Sequence, residues 1–154
     1  MNNLKELLTN NRTYIEKCLK IVNKDGELVP FKLNAGQIIV DNIIADLERR
    51  NKPVRLIILK ARQMGISTYT EGYIFKKTTT QTFKTSSIIA HLDEASQNLF
   101  NMYKNFYENM PEVVKPMKKY LNSDLLSFEN PSENEEDKKR NPGLKSKVTI
   151  RTAK

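Results

Sequence analysis

A chain of 154 residues, 38% hydrophobic and 29% charged, has the bulk for one globular domain, and its single cysteine excludes a disulfide-stapled scaffold. No apolar run approaches the roughly 20 residues that span a bilayer, and the N-terminus lacks the apolar core of a signal peptide, so an intracellular protein without membrane contact is expected. A net charge of +8 and a pI near 9.5 suit a polyanionic partner and equally a solvated basic surface.

In chain order, residues 3–19 read as one helix, with Leu4, Leu7, Leu8, Ile15, Cys18 and Leu19 on one side and a middle weakened by Thr9, Asn10 and Asn11. Cys18 has no thiol partner and reads as core filler. Residues 20–31 predict a hairpin turning at Asp25-Gly26, with Pro30 ending its second strand or lying on its edge. Residues 34–51 predict a strong helix. Asn34 caps it, Gln37 stands in capping-box relation, and Ile39, Ile43, Ile44 and Leu47 form the expected buried stripe.

Residues 54–68, VRLIILKARQMGIST, are the stretch that bears on chemistry. Leu56 to Leu59 read as a strand buried on both faces, feeding a short polar loop and then Ser67-Thr68 at the start of a helix. Against the pattern GxxxxGK[ST], Gly65 takes the second glycine and Ser67 the hydroxyl, while Ile66 stands at the lysine position and Lys60 at the first glycine. Such a loop cradles phosphates with its backbone N–H groups and the helix N-terminus; Lys60 or Arg62 would supply the positive charge, and Ser67 would ligate Mg²⁺. By spacing alone, an ordinary strand-to-helix turn with Ser67 as N-cap explains the stretch equally well.

Downstream, residues 67–77 predict a helix with Tyr69, Tyr73 and Ile74 on its apolar face and Gly72 lying close to a sheet, and the polar run 78–82 begins a loop. Residues 85–91 predict a strand. Asp93-Glu94 after it superficially match an acidic metal-binding strand end, but acids in a first helical turn are favoured by the dipole, so Asp93 is read as N-cap of a helix over 93–109. His91, the only histidine, has no companion for a zinc site. Phe100, Tyr103, Phe106 and Tyr107 recur at helical spacing and read as core before a base-stacking platform. Residues 113–120 are ambiguous. Residues 125–128 and 147–152 predict strands, the second with Val148 and Ile150 inward, and the segment 130–145 between them predicts a mobile, solvated hairpin loop whose Lys138-Lys139-Arg140 is within reach of phosphates.

KARQMGIST, preceded by an apolar strand and by PFKLNAGQ, resembles the ATPase domain of tailed-phage terminase large subunits. One variant of that family's loop carries its lysine first, as Lys60 stands here. The resemblance implies a P-loop NTPase-like α/β core with a central, mainly parallel sheet flanked by helices, in which residues 1–33 lead up to the adenine motif and residues 34–154 form a partial ATPase domain. It implies ATP and Mg²⁺ as cofactors, held by Lys60, Arg62, Gln63, Met64, Gly65, Ile66, Ser67 and Thr68, with Ser67 on the metal. Gln37, following Phe31, would read the adenine edge. It also implies double-stranded DNA, a small terminase subunit and a portal ring as partners, a homo-oligomeric motor, and the cytoplasm of an infected bacterial host. No acidic strand of the Walker B kind follows Lys154, so the expectation is the N-terminal part of a DNA translocase, without catalytic residues of its own. A helicase-like ATPase of another family and a non-catalytic basic DNA-binding module are the competing readings.

Overall fold

The computed structural model describes residues 2–152, with side chains over 6–151. Two short helices, α1 (Asn2–Thr9) and α2 (Asn11–Cys18), stand where one was expected. Asn10 leaves the helical region, with φ −86° and ψ 122°, and its side chain accepts a 2.9 Å bond from the Thr13 N–H. An asparagine in mid-pattern thus ends one helix and caps the next. Tyr14, Ile15, Cys18 and Leu19 are buried, while Leu4 lies outside the described side chains. β1 (Lys20–Val22) and β2 (Leu28–Pro30) form the expected antiparallel hairpin, with Gly26 at φ 81° in its turn.

In α3 (Ala35–Arg49) the buried face is turned from the expected stripe. Val40, Asp41 and Ile44 point inward, whereas Ile39 and Ile43 are exposed. The turn has a polar cause: the Tyr69 hydroxyl donates to Asp41 at 2.7 Å, so Asp41 must face the next helix. Burial raises the Asp41 pKa against that bond.

α4 (Ile66–Thr80) runs through the centre of the molecule. It extends beyond the expected 67–77, and within it Thr78, Thr79 and Thr80 return their hydroxyls to carbonyls one turn back. Gly72 makes a close approach, but to the residues that follow α2 and β2: an added Cβ would lie 3.3 Å from Leu19 and 3.4 Å from Phe31. Phe75 sits among Phe106, Tyr103 and Phe128 at ring separations of 5.5, 5.7 and 6.4 Å. Lys76 is buried, and donates to Thr9 O at 2.8 Å and Asn11 Oδ1 at 2.7 Å; burial brings its pKa down to about 8.

The remainder builds the main sheet: β3 (Thr85–Ala90), α5 (Asp93–Asn109), a 3₁₀ turn (Glu112–Val114), β4 (Tyr120–Leu121), β5 (Leu125–Glu129), α6 (Glu135–Arg140) and β6 (Gly143–Thr152). Its order is β3-β6-β5-β4. β3 and β6 are parallel, while β6-β5 and β5-β4 are antiparallel, so the sheet is mixed instead of mainly parallel. The fold class is α/β, a mixed sheet flanked by helices. The aromatic residues of α5 are core, as their spacing predicts, and Val148 and Ile150 are buried on β6.

Two expectations give way to local helix physics. Residues 130–145 are not a plain loop, for Asn134 caps α6 through the Glu136 N–H at 2.8 Å. Glu135, Glu136 and Asp137 then occupy its first turn and Lys138, Lys139 and Arg140 its last, so the charge blocks complement the dipole at the two ends. At α5 the N-cap is Leu92, and Asp93 and Glu94 are its first helical residues. Among the described residues no helix is long and apolar enough to cross a membrane.

The largest departure is the segment 54–59. It belongs to no sheet, and no backbone hydrogen bond holds it among the described residues. Its exposure alternates, with Leu56 at 38%, Ile57 at 104%, Ile58 at 40% and Leu59 at 102%, which is the two-residue period of a strand. A strand is defined by its neighbours, and here neither edge has one.

Candidate phosphate loop

The segment 54–59 leads into Lys60 and the turn 61–65, and α4 follows at Ile66. Two residues of the turn are left-handed, Gln63 at φ 61° and Gly65 at φ 69°. Gly65 is the N-cap of α4 and offers no side chain, so the N–H groups of the first turn keep their donors free of a side-chain cap. Ser67 is therefore not the cap; it lies exposed in the first turn and borders the cleft that Leu56, Ile58 and Ile88 also line.

The start of α3 holds this turn from behind. Asn34 and Gln37 form the full capping box, Gln37 N–H to Asn34 Oδ1 at 3.0 Å and Asn34 N–H to Gln37 Oε1 at 2.9 Å. Each also donates its amide to the loop: Asn34 Nδ2 to Met64 O at 3.2 Å, and Gln37 Nε2 to Gly65 O at 2.7 Å. In a trans peptide the carbonyl and the following N–H point opposite ways. Met64 O is thus drawn toward α3 and the Gly65 N–H away from it, while Gly65 O also accepts the first helical bond of α4 from the Tyr69 N–H at 3.0 Å, which points the Ile66 N–H out of the helix start. That is the orientation an anion requires.

The remaining candidate residues divide by burial. Ile66, at the standard lysine position, is buried, so only its N–H serves the loop. Lys60 and Arg62 are exposed and enter no ion pair among the described residues; the one contact of Lys60 Nζ is a 3.5 Å bond to Ala61 O. Both cations are thus free of carboxylate partners among the described residues. Met64 is exposed and packs near Gly36, and Thr68 is half-buried beside Asn98 and Asn101 of α5. Gln37 is only 3% exposed, with both ends of its amide engaged. The structure places it as helix cap and loop tie.

The donor set fits phosphates: backbone N–H groups, a helix N-terminus and two free cations. For Mg²⁺ it offers the Ser67 hydroxyl, and among the described residues no group of three or more His, Cys, Asp or Glu side chains is assembled. The tie from Asn34 to Met64 O and from Gln37 to Gly65 O was not legible in the sequence, although the capping pair that makes it was. A scan against protein-family models gives no match, and a search of curated proteins gives none either.

Proposed function

We propose that residues 60–68 bind the phosphates of ATP and that the chain is the N-terminal part of a DNA-packaging ATPase of the terminase large-subunit kind. The observation that carries this reading is the left-handed N-cap at Gly65, which leaves the first-turn N–H groups of α4 without a side-chain cap and whose carbonyl is tied to Gln37. The net charge of +8 supports a DNA partner.

In this reading the chain binds and orients. The N–H groups of 63–66 and the N-terminus of α4 receive the phosphate oxygens, Lys60 or Arg62 neutralises their charge, and the Ser67 hydroxyl is positioned to ligate the metal. Bound Mg·ATP supplies the phosphoanhydride whose cleavage drives translocation in the complete machine. Asp93 and Glu94 stand in the first turn of α5 and take no catalytic role.

Titration with a fluorescent ATP analogue tests the assignment. A charge-assisted hydrogen bond contributes about 1.5–3 kcal/mol, so Lys60→Ala should weaken binding about 10- to 100-fold. If Lys60→Ala binds normally and Arg62→Ala does not, Arg62 is the phosphate cation. If neither change matters, the loop is an ordinary strand-to-helix turn and the basic DNA-binding module becomes the reading.

Contact of Gln37 with adenine requires its amide to turn out of the arrangement described above. Gln37→Ala should then weaken ATP more than GTP. An unchanged ATP-to-GTP ratio, with lower thermal stability, assigns Gln37 to the cap and the loop tie alone.

A further inference from the structure

A β-bulge in β6 gathers lysines from separate parts of the chain around one pocket. Phe128 and Glu129 are neighbours on β5, but they face Ser146 and Gly143 of β6, so Leu144 and Lys145 stand outside the ladder. Such a bulge re-aims its side chains. Lys145, left-handed at φ 52°, lines an open pocket of about 340 Å³ together with Lys119, which precedes β4, and with Lys138 and Lys139 of α6. Glu129 and Glu135 line it too, and both are taken: Lys119 Nζ lies 3.7 Å from Glu129 Oε2, and Lys138 donates to Glu135 Oε1 at 2.8 Å. Lys139 and Lys145 are exposed and enter no ion pair among the described residues. The dipole of α6 accounts for lysines in its last turn, but not for Lys119 or Lys145. The pocket therefore keeps an excess of positive charge, which its concave shape focuses.

A second observation is aromatic. Phe83, before β3, is 73% exposed and is also left-handed, at φ 56°. Its N–H donates to Leu144 O at 2.9 Å, so the bulge holds it in place, and Lys145 Nζ lies 5.9 Å from its ring centroid. One exposed apolar side chain is ordinary, but a bulky residue at this φ is an outlier, and here the ring gains no burial in return. Strain of that kind persists where the surrounding structure enforces it, and it gathers at ligand clamps.

We propose that this face binds single-stranded nucleic acid, with backbone phosphates in the lysine pocket at Lys139 and Lys145 and an unpaired base stacked on Phe83. An open aromatic ring beside a cationic groove is the pair of features that such a strand uses. An acidic peptide would meet the lysines and leave the ring bare, whereas a duplex would offer phosphates but keep its bases stacked within. The proposal deepens the DNA-binding part of the reading above and is independent of its ATP-binding part, since the face shares no residue with the phosphate loop.

The probe is a fluorescein-labelled oligothymidylate of about twelve nucleotides, titrated against the full chain by anisotropy over a range of salt concentrations. Saturable binding is expected, and Phe83→Ala should weaken it about tenfold, with Phe83→Tyr restoring it. Lys139→Ala should weaken it about fivefold near 0.1 M salt and make the slope of log affinity against log salt shallower by about 0.7. Lys145→Gly should do the same without lowering the melting temperature, because glycine takes this φ without strain. Lys24→Ala, which removes an equal charge from the β1–β2 turn, should leave binding within about twofold. Titration with the ATP analogue should be the same for all these variants, so failure of that binding alone refutes the phosphate loop and not this face. The proposal is overturned if the oligonucleotide does not bind, if Phe83→Ala binds it normally, or if Lys24→Ala costs as much as Lys139→Ala. It is overturned equally by a lower melting temperature and unchanged binding in Lys145→Gly, which would make the bulge purely structural. Tighter binding of the duplex, or equal competition by polyglutamate, also overturns it and makes duplex DNA or an acidic protein the partner.

Discussion

Gly65→Ala is expected to lower stability by about 2 kcal/mol or more and to weaken binding of the ATP analogue by more than about tenfold, the largest loss at the candidate site. The residue sits at φ 69°, where a side chain is strained, a cost of about 1–3 kcal/mol. An added Cβ would also stand 2.8 Å from Gln37 Nε2, closer than real contacts allow. The Gln37 amide must then move off Gly65 O, and the bond that ties the start of α3 to the loop is lost. Because the clash, unlike the φ strain, passes through the Gln37 contact, the two changes should not fully add. Gln37→Ala removes the obstructing amide, so the double variant should be less destabilised than the sum of the single ones. Melting and nucleotide titration of the four proteins measure the cycle, since independent sites add within about 0.5 kcal/mol. Additive costs together with normal nucleotide binding would contradict the loop tie.

Glu71→Gln is expected to stabilise the protein at pH 8 by up to about 3 kcal/mol, with the gain vanishing as the pH approaches 4. Burial raises the Glu71 carboxyl from 4.5 to about 7, against a smaller downward pull from Tyr103. The folded chain therefore keeps its proton between pH 4.5 and 7, where the unfolded chain has released it. Stability from this group is full below the unfolded value and is lost as pH rises through the folded one. A shift of this size corresponds to about 3 kcal/mol at 1.36 kcal/mol per unit. Glu48 works in the other direction and in another window. Burial alone would raise it, but bonds from Lys77, Asn11 and Tyr73 outweigh that and hold it low, so its contribution is lost only as pH falls into the acid range. Denaturant unfolding of wild type and Glu71→Gln from pH 4 to pH 8 separates the two. Parallel pH curves for the two proteins would show that Glu71 is not the group titrating.

The sequence by itself determined what depends on neighbours along the chain. The capping box at Asn34 and Gln37, the turn at Gly26, the 93–109 helix with its aromatic face and the alternation of Val148 and Ile150 are set by propensity, capping and period, and the structure bears them all out. The break at Asn10 and the charged helix α6 are local too, and the capping chemistry of Asn10 and Asn134 was there to be read. Only the tertiary structure decided which face of α3 is buried, since that depends on Tyr69 meeting Asp41 across two helices. Nor does any local signal say that a capping glutamine will reach 28 residues ahead to Gly65 O. The segment 54–59 shows the difference most plainly. Its composition specifies a strand, and its exposure keeps the strand period, but pairing is a property of two chains of backbone, and the second lies nowhere in its own sequence.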